Sequence, residues 1–138
     1  MSSVIAILDD ELPRVHAMQA ALRKRLPNYP AVFFLNAHDA IAWFRQNLSQ
    51  AALISLDHDL FPQTPEEPDP GTGRDVADYL ASRDPVCRVI IHTTNAPAAV
   101  GMGMELEESG WVHSRVVPYN DLEWVEAWWI REAVEHVQ

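Results

Sequence analysis

Short apolar runs alternate with segments of helical spacing along this chain, and that alternation limits the fold more than any other feature. The strands are expected at residues 4–8, 31–35, 52–56, 87–91 and 112–117, and the run 52–56 can be buried on both faces. After the first, Pro13 suits the opening turn of a helix, where a missing N–H costs nothing. Val15, Met18, Ala21, Leu22 and Leu26 follow at helical spacing until Pro27 ends it. Asn36 caps a second helix over 37–48, with Ala40, Ile41, Trp43, Phe44 and Leu48 apolar. Thr72 and Asp75 have capping-box spacing and open a third helix to about Ser82, which buries Val76, Ala77 and Leu80. A fourth, over 96–109, carries Gly101 and Gly103 and is expected to be the least stable, with Gly110 as its C-cap. Asn120 or Asp121 caps the fifth, which runs to near Val134. Strand and helix repeated in this order imply one doubly wound α/β domain over residues 1–138, a parallel sheet with right-handed crossovers and helices on both faces.

In such folds a ligand sits outside the carboxyl ends of the strands. Three of the runs end there in polar clusters: Asp9-Asp10-Glu11, Asp57-His58-Asp59 and His92-Thr93-Thr94-Asn95. Charged groups at the end of a buried strand are rarely left unpaired, so these clusters mark a site more than a scaffold. Converging aspartates supply the hard oxygen ligands that Mg²⁺ or Mn²⁺ prefers, and histidine can act as acid or base near neutral pH. Plainer roles stand beside these. Asp9 or Asp10 can cap the following helix, His58 can be a solvated neighbour of two acids, and His92 can be a structural histidine at a strand end. Thr94 and Asn95 can cap the fourth helix, bind phosphate, or do both.

The segment after Asp59 holds four prolines within residues 61–71, which rules out helix or central strand and leaves a stiff loop, either a lid or a connector. Gly71-Thr72-Gly73-Arg74 lacks the spacer and lysine of a phosphate-binding P-loop. The net charge of −10 argues against an extended nucleic-acid surface or an anionic membrane as partner. A small phosphate-containing substrate, held through a cation, is compatible with it. One cysteine, Cys87, rules out an internal disulfide and, with no signal-like or membrane-spanning run, leads us to expect a cytoplasmic protein.

The layout resembles the phospho-acceptor receiver domains of two-component signalling across nearly the whole chain. The matching residues are Asp9-Asp10 after the first strand, Asp57 after the third and the hydroxyl-bearing segment after the fourth. That resemblance implies a five-stranded sheet of order 2-1-3-4-5, with Asp57 as acceptor and Asp9, Asp10, Asp57 and Asp59 around a divalent metal, Asp59 through its carbonyl. Receivers end strand five with lysine and proline; here Val117 precedes Pro118, Arg115 lies two residues earlier, and no lysine follows Lys24. Leu-Asp-His-Asp-Leu, Thr-Gly-Arg-Asp-Val and Ile-His-Thr-Thr-Asn together look like the cyclic-phosphate processing receiver domains. That branch is expected to act on cyclic phosphate ends in RNA-repair or nucleotide-signalling settings. On this reading a Mg²⁺ or Mn²⁺ ion polarises the phosphate, Asp57, His58 and His92 do the chemistry, and Thr94 and Asn95 hold the substrate or RNA terminus. The rival reading is a non-enzymatic signalling module, with Asp57 phosphorylated or the site used only for binding. On the last helix Leu122, Val125, Trp129 and Ala133 form a stripe toward the sheet, while Trp124 and Trp128 are expected to widen that buried face or to form a homodimer patch.

Overall fold

The computed structural model describes residues 2–137. Its strands are β1 (Val4–Leu8), β2 (Ala31–Phe34), β3 (Ala51–Leu56), β4 (Arg88–Ile91) and β5 (His113–Arg115). Its α-helices are α1 (Leu12–Arg25), α2 (Ala37–Asn47), α3 (Gly73–Ala81), α4 (Ala96–Glu108) and α5 (Ile130–Val137). All strand pairs are parallel and the sheet order is β2-β1-β3-β4-β5, the doubly wound receiver-type topology expected from the alternation and the resemblance. The order reverses beside β1, so the carboxyl ends of β1 and β3 flank the crevice where such sheets bind ligands.

Because side chains alternate along a strand, one set of positions faces each layer of helices. Ala6, Leu8, Ile54, Leu56, Val89 and Ile91 join Phe44, Val76, Leu80 and Met102 of α2, α3 and α4 on one face. Ile5, Ile7, Leu53 and Ile90 join Met18 and Leu22 of α1 and Trp129 and Ile130 of the C-terminal helix on the other. The helix starts are built as their sequences require. Asn36 and Asn95 accept hydrogen bonds from Asp39 and Ala98 amides, and Thr72 and Asp75 form a reciprocal capping box. Gly110, at φ +87°, takes the left-handed turn after α4 that glycine adopts without penalty. No helix among the described residues is long and apolar enough to cross a membrane.

The C-terminal region departs from the expected helix. β5 is shorter than the run 112–117, and Asn120 and Asp121 have φ +44° and +62°, a left-handed turn instead of the extended geometry of an N-cap. From Val125 to Trp129 the backbone then winds as a π-helix before it continues as α5. One extra residue in that turn brings Trp124 and Trp129, five apart, to the interior together. Both are fully buried, whereas Trp128 is 53% exposed. Of the two alternatives, the wider buried face holds for Trp124, which belongs to the core beneath the strand ends, while Trp128 stays at the surface.

Candidate functional site

Strand parity decides which polar residues meet. Ile7 pairs with Ser55 and Leu8 with Leu56, while Leu56 pairs with Ile91, so Asp9, Asp57 and His92 stand side by side one residue further on. Asp9 and His92 are fully buried, and Asp57 and Asp10 nearly so. Asp9, Asp10 and Asp57 each bring a carboxylate oxygen within 4.8 Å of the others. Asp9 Oδ1 accepts the Glu11 amide at 2.9 Å, and Asp57 Oδ1 accepts the His58 amide at 2.8 Å. The proline-rich loop is tied to this corner, since Phe61 donates its amide to Asp10 Oδ2 at 2.8 Å and Gln63 Nε2 donates to the Asp10 carbonyl at 3.0 Å.

Burial pushes the Asp57 carboxyl up to about 6, with the neighbouring Asp9 charge adding to the effect and His92 and Arg14 opposing it. Burial raises Asp10 as well. Three acids drawn together at the cost of two raised pKa values are what a divalent cation would relieve, and all-oxygen donors suit a hard ion. Asp9, Asp10 and Asp57 thus fit the metal that the receiver layout implies. Asp59, expected near the metal through its backbone carbonyl, keeps its carboxylate outside this group. It turns instead to His58 Nδ1 at 2.9 Å and to Asn95 Nδ2 at 3.4 Å.

The two histidines have separate surroundings. His92 Nε2 lies 3.0 Å from Asp9 Oδ2 and Nδ1 lies 2.7 Å from Ser55 Oγ. Ser55 Oγ in turn accepts the Trp129 indole N–H at 2.9 Å, and the Trp124 ring stacks on the imidazole at 5.9 Å and 21°. Trp129 donates to Ser55 Oγ, Ser55 Oγ and His92 Nδ1 share one hydrogen bond, and His92 Nε2–H donates to Asp9. Both ring nitrogens are thus engaged and none of the ring reaches solvent. His58 is only half-buried, with Nδ1 on Asp59. Thr94 is exposed, and Asn95 uses its side-chain oxygen to cap α4. The hydroxyl that folds inward after β4 is that of Thr93, which accepts the Asn95 amide at 3.1 Å.

A family model described as the cyclic-phosphate processing receiver domain matches residues 5–108 of the 138. The chain belongs to this family. Among solved structures, the phosphorylated cyanobacterial phytochrome response regulator RcpA superposes with a TM-score of 0.72 at 18% identity, covering 98% of this chain and 93% of that one. The response regulator domain of Thermotoga maritima CheB gives 0.68 at 16% identity, over 99% and 94%. The Mn²⁺-bound form of response regulator Rcp1 gives 0.66 at 19%, over 93% and 94%. These likenesses carry the fold. No curated protein matches the chain.

Arg14 and Ser55 of this cyclic-phosphate processing receiver domain escaped the sequence reading. Arg14 Nη1 lies 3.7 Å from both Asp9 Oδ2 and Asp57 Oδ2, its Nε bonds Glu11 at 2.8 Å, and its guanidinium stacks over Trp124 at 5.5 Å. Arg115, the cation nearest in sequence to the missing strand-five lysine, instead donates to the Thr93 carbonyl at 2.9 Å. Gly73 is also part of the site: a Cβ there would stand 1.8 Å from the Asp57 carbonyl oxygen. Its signal was visible in Thr72-Gly73, where a capped helix begins on a residue without a side chain. Ser55 was legible too, as the one hydroxyl in an otherwise apolar strand.

Proposed function

We propose that this receiver domain processes a cyclic phosphate, or a related phosphodiester, by hydrolysis that depends on Mg²⁺ or Mn²⁺. The observation that carries the reading is the buried triad of Asp9, Asp10 and Asp57 beside the half-buried His58, within a chain of the cyclic-phosphate processing family. The triad would hold the metal, which when bound polarises a phosphate oxygen and orients water. Asp59 steadies the His58 imidazole through Nδ1, leaving Nε2 to exchange a proton with water or with the departing oxygen. Water adds to phosphorus, one ester P–O bond breaks, and the released oxygen takes a proton, so the ring opens to a monoester. His92, through Asp9, positions a metal ligand and does not touch substrate. Asn95, whose amide lies beside Asp59, and exposed Thr94 are proposed to contact the phosphate.

Turnover of a 2′,3′-cyclic nucleotide with Mg²⁺ or Mn²⁺, lost with EDTA and reduced at least a hundredfold in His58→Ala, is the expected result. Undiminished turnover in His58→Ala would remove it from the chemistry. The second reading, a phospho-acceptor on Asp57, draws on the likeness to receivers and on Arg14 beside Asp57. A stable acyl phosphate formed from acetyl phosphate, without turnover of the cyclic ester, would favour that reading.

A further inference from the structure

A cavity of about 400 Å³ opens between the start of α1 and the turn that follows β5. Glu11, Pro13, Arg14, Tyr119, Asn120 and Leu122 are among its lining residues. Arg14 belongs to both the cavity wall and the acidic corner, since the same Nη1 stands 3.7 Å from Asp9 and from Asp57. Arg14 thus joins the acidic corner to this space. We propose that the cavity is the subsite for that group, that it takes a nucleoside, and that Arg14 contacts the phosphate at the junction. The inference rests on the phosphoester reading above and names its substrate class.

Size, aromatic surface and charge all point to a nucleoside. The volume falls in the range of small-molecule pockets, about 300–1,000 Å³. Tyr119 supplies an aromatic face on which a base can stack, and that side chain is held, because Trp128 Nε1 donates to its hydroxyl at 2.9 Å. Tyr119 is nevertheless 39% exposed, so a stacking partner would cover surface now open to water. Asn120 offers both amide donor and acceptor to a base edge. The charges on Glu11 and Asp121 repel a further phosphate, so an uncharged nucleoside suits the lining better than a continuing polynucleotide.

The test compares a 2′,3′-cyclic nucleotide with glycerol 1,2-cyclic phosphate, which has the same reactive ring and no base, on wild type and Tyr119→Ala. We expect kcat/KM at least tenfold higher for the nucleotide, mainly through KM, with the ratio falling toward one in Tyr119→Ala and recovered in Tyr119→Phe. Equal kcat/KM for the two esters on the wild type would overturn the subsite and leave hydrolysis standing. If neither ester is turned over, hydrolysis fails, and a second measurement decides the subsite alone: adenosine 3′-monophosphate and inorganic phosphate are each titrated with Mg²⁺ into the ¹⁵N-labelled wild-type chain. Amide shifts at Tyr119, Asn120 and Asp121 with the nucleotide and not with phosphate support the cavity as the nucleoside site. Shifts absent there, or equal for the two, overturn it.

Discussion

Replacing Asp57 with asparagine should make the metal-free protein more stable at neutral pH, although it removes a central site residue. The carboxyl is only 5% exposed and its pKa is raised from 3.8 to about 6, chiefly by burial. A raised pKa means that the folded state holds the proton more tightly than the unfolded chain does. Below 3.8 both states are protonated and the group costs nothing; between 3.8 and 6 the cost grows, and above 6 it is complete. A shift of this size corresponds to about 3 kcal/mol at pH 7. Asparagine keeps an oxygen for the His58 amide and carries no charge, so Asp57→Asn should recover up to that amount, about 10 °C in Tm for a domain of this size. Urea unfolding of both proteins in EDTA, at pH 7 and at pH 4, isolates the effect in the difference between the two. Excess Mg²⁺ should reverse the order at pH 7, because binding to the folded wild type adds stability that the variant cannot gain in full. A variant less stable than wild type in EDTA at pH 7, or a difference that does not shrink toward pH 4, would refute the account of Asp57 as a buried charge only partly offset by its neighbours.

Other substitutions separate the remaining parts of the site. His92→Ala should cost about 3–5 kcal/mol in unfolding free energy, because it leaves Asp9 buried without its partner, and should weaken Mn²⁺ binding roughly 10–100-fold by calorimetry. Gly73→Ala forces the Asp57 backbone to move, since the new methyl would stand 1.8 Å from its carbonyl oxygen; a loss of at least about 3 kcal/mol and of metal affinity is expected, measured by the same two methods. Cys87, whose thiol burial pushes up to about 12, is partly exposed, so at pH 8 it should react with a thiol reagent slowly in the folded protein and at least tenfold faster in denaturant.

The architecture was legible because it rests on local patterns. Apolar runs the length of buried strands, separated by capped helices, leave few ways to cover a sheet except by parallel crossovers, and each cap named from sequence at Asn36, Thr72 and Asn95 is formed. The triad was legible as well, since acids at the ends of β1 and β3 must converge once those strands are neighbours. The separation of buried Trp124 from exposed Trp128 was not legible, because the segment winds as a π-helix and backbone winding of that kind has no simple residue signature.

How differently the two histidines are housed was another kind of question. Composition and strand ends made His58 and His92 equivalent; only the pleat, the register with β1 and β3, and the indoles arriving from the far end of the chain separate them. His92 falls in phase with Ile90, on the face that Trp124 and Trp129 cover, and Ser55 on the adjacent strand completes its hydrogen bonds. The cation beside the acids likewise comes from α1, by way of a helix-docking angle that no spacing rule encodes. Periodicity along one strand is a property of the chain itself, whereas the partner of a buried polar group depends on segments far apart in sequence that meet only after the sheet and both helical layers have closed.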